Sequence, residues 1–483
     1  MGATERIEKA CGQLARSPRL LALAALAERR GQGIWLVGGA LRDSAMELTA
    51  YDLDLAADGD AVALAREFAA TQRAAFVLLD QRHKSARVAW ASGHLDLSGL
   101  RAPTIAQDLA ARDFTINAMA FTLAGGPRGL LDPLGGIKDL EERILRPCGP
   151  TVLRDDPLRV LRAFRFYSTL RMNLPEQTAQ ALDAAGPGLF RVAAERVREE
   201  WLKLMAGERA GQAVAAMDRA HVLTRLAPEL RAGKGMAQNR FHHLDVFRHG
   251  LAALSALDGL AEEPGHGGLG EAAARYLADP ARRAILKTAT LFHDLGKPTA
   301  VAPKEGQPGE FSFYNHENLG AALARRRCRA LGLSKAAANT AAALVAAHMR
   351  PHQLWRTVKN GGLSRRAARR MLEAAGEHLA GLFLMALADA RAGKGEGRPE
   401  GVEEGLVELF GLIVARREAE LAQAMAAPPL VDGRRVMSEL GMPPGPELGG
   451  VLKRLREAQL DGEIASTEEA LEMARRLLAK TGP

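Results

Sequence analysis

Two aspartates one residue apart, Asp52 and Asp54 in "YDLDLAA", are the residues of this sequence best placed for chemistry on phosphates. If the run is a strand, side chains alternate between its faces, so both carboxylates point one way while Leu53 and Leu55 point into a core. Carboxylates ~7 Å apart on one strand face can hold two Mg²⁺ ions. Such a pair, about 4 Å apart, activates an attacking hydroxyl and steadies a leaving pyrophosphate. Upstream, Gly38-Gly39 follows the apolar run "IWLV" and leads into a helix with Arg42 in its first turn. Bare backbone N–H groups at a helix start cradle phosphates, and a guanidinium can neutralise one. Together the two pieces form a triphosphate cradle followed by a metal clamp. No GxxxxGK[ST] motif occurs. The lone GxGxxG, Gly265–Gly270, sits in a polar stretch with no strand before it and is read as a flexible loop.

The second half of the chain carries another reactive set. His249, the pair His293-Asp294 and Asp389 lie in "DVFRHGLAAL", "ATLFHDLGKP" and "LADARAGKG". Imidazole and carboxylate together suit a divalent first-row ion or Mg²⁺. His316 and His348 could bind a second metal or a phosphate. His242, His243 and His352 are read as structural or surface histidines.

The elements that must position these residues follow from patterning. Residues 4–30 predict a helix. "IWLV", "YDLDLAA", "AAFVLLD", "SARVAW" and "GHLDLSGL" predict strands, and "RDFTINAMAF" starts as strand or helix. After residue 148 apolar residues recur at three-and-four spacing, the mark of helices. The expected class is α+β, a small mixed-sheet head followed by an all-α body. The divisions are an N-terminal helix (1–33), a head (34–148), a helical neck (149–235), a metal-binding domain (236–395) and a helical tail (396–483). A length of 483 residues agrees with about three to four units. The 65 Lys+Arg against 57 Asp+Glu leave +8, which suits a polyanionic partner. Cys11, Cys148 and Cys328 are too dispersed for a disulfide framework and fit a reducing cytoplasm. "LLALAALA" is too short to span a bilayer, and Glu5 and Glu8 before it argue against a signal peptide.

Three further stretches, "QDLAARDFTINAMAF" (107–121), "LDPLGGIKDLEERILRP" (131–147) and "RDDPLRVLRAFRF" (154–166), complete an ordered set that ends at "AAERVREEWLKLM". From Val37 to about Glu200 the sequence resembles the bacterial class II tRNA nucleotidyltransferases (CCA-adding enzymes) and poly(A) polymerases, whose head belongs to the DNA polymerase beta superfamily. The resemblance implies that Gly38, Gly39 and Arg42 meet nucleotide phosphates and that Asp52 and Asp54 hold Mg²⁺. It implies that Arg112 and Asp113 contact the incoming sugar and phosphates, and that Asp156, Arg159 and Arg162 belong to the base-reading motif. Ala111 stands where an arginine is usual, and Asp155 where a glutamate is usual. "HDLGK" and its partners resemble an HD-domain phosphohydrolase.

Base choice follows from hydrogen-bond polarity. Asp156 and Arg159, three apart, would share a helix face, one accepting and one donating. Cytosine and adenine offer an amine beside a bare ring nitrogen, whereas uracil and guanine reverse that pattern. CTP and ATP are therefore the expected nucleotides and tRNA the expected partner, with the basic tail helix near "GGVLKRLR" gripping RNA phosphates or packing on its neighbours. Addition of C and A to the tRNA 3′ end is the first reading. Addition of C alone or A alone, poly(A) synthesis, and an HD phosphohydrolase whose head only binds nucleotide are the alternatives. Full CCA-adding members of the family carry a longer flexible segment between these two stretches. The resemblance therefore implies that the short connection "RAPTIA" between "GHLDLSGL" and "QDLAARDF" biases addition toward a single nucleotide, C before A.

Overall fold

The computed structural model describes residues 2–48, 53–81, 84–127, 129–262, 267–306, 310–418 and 426–479. The chain divides into two units, Met1–Leu226 and Ala227–Pro483.

In the first unit the helix expected over 4–30 is two helices, Ala3–Ala15 and Pro18–Arg29. Pro18 has no N–H with which to continue a helix. Ser17 turns the break into a new start, its hydroxyl accepting from Leu20 N at 3.4 Å. Seven strands follow: β1 (Ile34–Val37), β2 (Leu53–Ala57), β3 (Ala75–Asp80), β4 (Ser85–Trp90), β5 (Gly93–Gly99), β6 (Ala120–Ala124) and β7 (Leu130–Leu131). They form one sheet in the order β3-β4-β5-β2-β1-β6-β7. β2 pairs with β5 in parallel, and all other neighbours are antiparallel, so the sheet is mixed. β1 lies inside the sheet and is buried along its whole length, which accounts for a strand without polar alternation. "RDFTINAMAF" is neither strand nor helix at first: a short 3₁₀ turn, Thr115–Asn117, leads into β6. Beyond the sheet, helices Leu158–Leu170 and Ala194–Ala206 bury Phe164, Phe166 and Trp201.

In the second unit the central helix is Leu379–Ala392, buried almost throughout. The stretch Arg365–Ala392 is long and apolar enough to cross a membrane by composition, with mean hydropathy 1.3. Its apolarity is used here for packing: Phe383 meets Phe410 of helix Val402–Arg416 at 5.4 Å between ring centroids. The body is not wholly α, since Ala302–Pro303 and Phe311–Ser312 pair as a two-stranded ribbon. Helix Gly267–Leu277 begins inside the expected glycine loop, so Gly267–Gly270 are helical, while Gly265 and His266 lie outside the described residues.

The last three helices, Gly433–Leu440, Pro446–Asp461 and Thr467–Ala479, close around their own core of Val436, Leu455, Ala458, Ala470 and Ala474. The apolar stripe of Pro446–Asp461 is therefore spent on packing. Arg369, from helix Arg365–Ala375, anchors this core through Asp461 at 2.8 and 3.0 Å, and both side chains are almost fully buried. Asp461→Ala would strand a buried guanidinium, a loss of about 3 kcal/mol, the low end for a broken buried pair because Glu373 still partners it at 2.7 Å. Amide exchange in Pro446–Asp461 should then quicken roughly a hundred-fold. Exchange unchanged within about three-fold would mean that packing, not the ion pair, holds the helix.

Candidate active site

The first site forms where β1 runs into helix Gly39–Ala45. Asp54 faces Val37 across the β1–β2 ladder and is exposed, whereas Leu55 beside it is buried, as the strand alternation requires. Asp52 lies outside the described residues. Gly38 has φ 77° and ψ −136°, a conformation that glycine adopts readily and other residues rarely. A Cβ there would stand 3.5 Å from Asp54 Oδ2 and 3.6 Å from Arg112 Nη1. The turn, the carboxylate and the guanidinium are thus brought to one point, and the missing side chain at Gly38 permits it.

A further carboxylate, Asp96 on β5, is in parallel register with Asp54 on β2 and is held by Arg87 at 2.7 and 2.8 Å. Sequence reasoning passed over it. The signal was present, because "HLDL" repeats the Leu-Asp-Leu spacing of "YDLDL" on a neighbouring strand. An exposed Asp54 beside Asp96 is an oxygen-donor set of the kind that Mg²⁺ takes.

The cations around this point are pre-aimed by acidic partners. Arg42 donates to Asp43 at 2.8 and 2.6 Å and to Asn117 Oδ1 at 2.8 Å. Arg112 donates to the buried Asp108 at 3.2 and 3.0 Å. Asp113 is placed differently from its neighbour. It is buried, with Oδ1 accepting from Phe114 N and Asn117 at 2.8 and 3.0 Å and Oδ2 accepting from Arg162 Nε at 2.8 Å. Burial alone would raise its carboxyl, yet Arg162 and these hydrogen bonds outweigh it and hold the group below its usual range. Arg162 continues to Glu200 at 3.4 Å, and Glu200 takes Arg165 at 2.6 Å. A continuous polar chain, Arg42–Asn117–Asp113–Arg162–Glu200–Arg165, therefore links the helix after β1 to helix Ala194–Ala206.

Asp156 and Arg159 do not share a helix face. Asp156 is extended (φ −134°, ψ 97°) between Val152–Asp155 and Leu158–Leu170, because Pro157 disfavours helical backbone at the residue before it. Its carboxylate accepts from Leu158 N at 3.2 Å and from Arg196 at 2.8 Å. Arg159 instead donates to the backbone carbonyls of Ala111, Arg112 and Val152 at 3.0–3.2 Å.

The second site lies in the second unit. His249 Nε2 is 2.8 Å from Asp389 Oδ1, and His293 Nε2 is 3.1 Å from Asp294 Oδ2 and 3.7 Å from Asp389 Oδ1. His316 and His348 bring their Nε2 atoms within 3.3 Å of each other and 3.6 and 3.9 Å from Asp294 Oδ1. The Nδ1 atoms of His293, His316 and His348 each lie 2.7 Å from the carbonyl three residues earlier, at Thr290, Phe313 and Val345. That contact keeps the proton on Nδ1 and turns Nε2 inward. Burial pushes His348 down to about 3, which leaves a neutral imidazole. For His293 burial acts downward too, but Asp294 and Asp389 outweigh it and raise the group to about 10.

These residues fit a metal. Asp294 Oδ1 is buried without a hydrogen-bond partner among the described residues. Among the described residues three sets, His249/His293/Asp389, His293/Asp294/His348 and His242/His249/Asp294, each place their donor atoms within 4.8 Å of one another. His242 and His352, read from sequence as structural or surface residues, line the same cavity of about 230 Å³. His352 Nε2 is 3.2 Å from Asp389, and the His242 ring is 4.5 Å from that of His249. No spacing rule ties either to the other ligands, so only folding reveals them. His243 is exposed, as expected. Lys297 joins the cavity, 2.7 Å from Asp294 Oδ2.

Three family models match the chain. Residues 34–146 match the poly(A) polymerase head domain, 171–233 the probable RNA- and SrmB-binding site of polymerase A, and 246–391 the HD domain. An A-adding tRNA nucleotidyltransferase of Deinococcus radiodurans is 38% identical over 93% of this chain and 96% of its own length. A CC-adding tRNA nucleotidyltransferase of Thermus thermophilus is 31% identical over 90% and 91%. Among solved structures, the Thermotoga maritima CCA-adding enzyme complexed with tRNA shares the fold at TM-score 0.61 and 20% identity, covering 99% of both chains. A CCA-adding enzyme complexed with CTP does so at TM-score 0.64 and 19% identity, again covering 99% of both chains. The mixed-sheet head, the glycine turn facing Asp54 and the near full-length relatives lead to one conclusion: the chain belongs to the tRNA nucleotidyltransferase and poly(A) polymerase family, with an HD domain in its helical body.

Proposed function

We propose that this chain extends the 3′ end of tRNA with C and A, taken from CTP and ATP without a nucleic-acid template. The reading rests above all on the convergence of Asp54, the Gly38 turn and Arg112 at the end of β1. Asp52 and Asp54 would hold Mg²⁺, which supplies charge neutralisation on the triphosphate and an acidified primer hydroxyl. Gly38, Gly39, Arg42 and Arg112 bind and orient the triphosphate. The tRNA 3′-hydroxyl gives its proton to solvent and its oxygen bonds to the α-phosphorus, while the bond from that phosphorus to the β-phosphate oxygen breaks and pyrophosphate leaves. Asp113 and Arg162, tied to each other, would brace helix Leu158–Leu170, beside whose start Asp156 and Arg159 would read the base. The division of labour is catalysis in 34–148, base reading and RNA contact in 149–235, an HD site in 236–395 and RNA contact in 396–483. Three free, scattered cysteines suit the cytoplasm.

The HD residues His249, His293, Asp294 and Asp389, with His316 and His348 beside them, would hold one or two divalent ions for phosphoester hydrolysis. A second reading of the main product, addition of A alone, is favoured by the A-adding relative, whose 38% identity exceeds the 31% of the CC-adding one. That runs against the bias toward C expected from the short connection after β5. Purified protein incubated with tRNAs ending before, within and after CCA, and with each nucleotide separately, tests all three products. Extension of tRNA lacking CCA to its full end supports the first reading. Extension only of tRNA ending in CC, and only by ATP, establishes the second.

Base choice gives a sharper expectation. Asp156→Ala or Arg159→Ala should let UTP and GTP compete, cutting discrimination by roughly 10²-fold, because the wrong base no longer leaves buried polar groups unpaired. Single-nucleotide incorporation kinetics measure it. A slower enzyme that keeps its C/A preference would remove the base-reading role from both residues.

A further inference from the structure

We propose that Arg196 is a positioning residue for base choice, acting through Asp156. The proposal rests on the reading that Asp156 and Arg159 recognise the base.

A carboxylate reads a base only if its oxygens stay where the base edge will arrive, within about 0.5 Å. Asp156 has no helical backbone to stiffen it, since it lies extended between two helices. One oxygen is tethered locally, accepting from Leu158 N at 3.2 Å. That single bond leaves the carboxylate free to turn about it. The second oxygen accepts from Arg196 Nη2 at 2.8 Å, and with both ends held the plane of the carboxylate is fixed. Each oxygen keeps a further lone pair for an incoming amine. Arg159 is immobilised independently, by the carbonyls of Ala111, Arg112 and Val152. The two halves of the reading pair are therefore set by different parts of the chain, and among the described residues Arg196 supplies the side-chain hydrogen bond to the acceptor half.

Helix Ala194–Ala206 is suited to this because it also carries Glu200, four residues on, which takes Arg162 and Arg165. Glu200 is buried and holds both arginines. Arg196 is about half exposed, as is usual for a pair worth at most about 1 kcal/mol of stability. Removing it should leave the fold intact and the triphosphate grip unchanged, but free Asp156 to turn. Uracil and guanine would then no longer be forced to meet a lone pair.

The test compares kcat/KM for correct and incorrect nucleotides on a tRNA acceptor in the wild type, Arg196→Ala, Arg196→Lys, Asp156→Ala and the Arg196→Ala/Asp156→Ala double variant, with melting temperatures alongside. Arg196→Ala should reduce discrimination against UTP or GTP about ten-fold, the usual scale of coupling between touching residues. Its rate with the correct nucleotide and its melting temperature should stay close to wild type. Arg196→Lys, which keeps the charge but not the planar fork, should restore part of the loss. The double variant should match Asp156→Ala. If Arg196→Ala slows every nucleotide equally or leaves discrimination unchanged while Asp156→Ala lowers it, the inference is overturned and the base-reading assignment stands. If Asp156→Ala itself keeps wild-type discrimination, both are overturned. Should Arg196→Ala fail to fold, the discrimination of Arg196→Lys decides: wild-type values count against the inference, reduced values for it.

Discussion

Asp54→Ala is expected to lower nucleotide incorporation on the order of 10³-fold or more, the several kcal/mol that metal-borne charge stabilisation supplies to phosphoryl transfer. Asp52→Ala should behave alike. Asp54 is exposed on β2, so its loss removes no packing. The Gly38 turn and Arg112, which meet Asp54 at the end of β1, keep their own supports: Arg112 stays bound to Asp108, and Gly38 to its place before helix Gly39–Ala45. Affinity for tRNA should therefore change little, since RNA docking depends on phosphate contacts spread over many cations. Gel-shift affinity together with single-turnover incorporation at saturating enzyme separates the two. Near-wild-type extension by either variant would sink the two-metal assignment. A loss of tRNA affinity as large as the loss of rate would turn Asp54 into a docking residue.

Local patterns revealed the strands that carry this chemistry, because a strand's period of two is written in adjacent residues. The Asp-Leu-Asp spacing, the glycine pair and the buried "IWLV" could be read without knowing what lay beside them. Relations across the sheet could not. Asp96 comes next to Asp54 only through the parallel β2–β5 pairing, which depends on how the chain returns after the β3–β4 hairpin. The helix geometry expected for Asp156 and Arg159 failed for a reason within sight: Pro157 disfavours helical backbone at Asp156. What Asp156 does instead depends on Arg196, forty residues away. Pro18, which lacks an N–H, likewise divided the first helix in two. The histidines divide along the same line. His293-Asp294 announces itself as a dipeptide, whereas His242 and His352 enter the cavity only when distant helices have packed. Buried polar groups demand partners, but a sequence does not say which partner is nearest.

Those packed histidines make the HD site the second strong test. Asp294→Ala should abolish tight metal binding in the second unit, lowering affinity more than roughly 100-fold, since even the residues that merely orient a ligand cost 10–100-fold when lost. Asp294 takes part in two of the three candidate ligand sets, and its Oδ1 faces His316 and His348 while Oδ2 faces His293 and Lys297. Without it Lys297 loses the carboxylate that neutralises it, and its charge would repel a cation from the remaining imidazoles. Asp294→Asn keeps the shape and separates this electrostatic loss from collapse of the cavity. Calorimetric titration with Mn²⁺, Co²⁺ and Ni²⁺, and hydrolysis of phosphomonoesters and 2′,3′-cyclic phosphates, provide the readouts. Nucleotide addition should stay within about two-fold of wild type, because its metal ligands come from a different set of residues in the first unit. Loss of addition in parallel with metal binding would show that the two sites are coupled. A wild-type protein that binds none of these ions in the second unit would reduce the histidine cluster to a retained piece of architecture, with Lys297 as its permanent counter-ion.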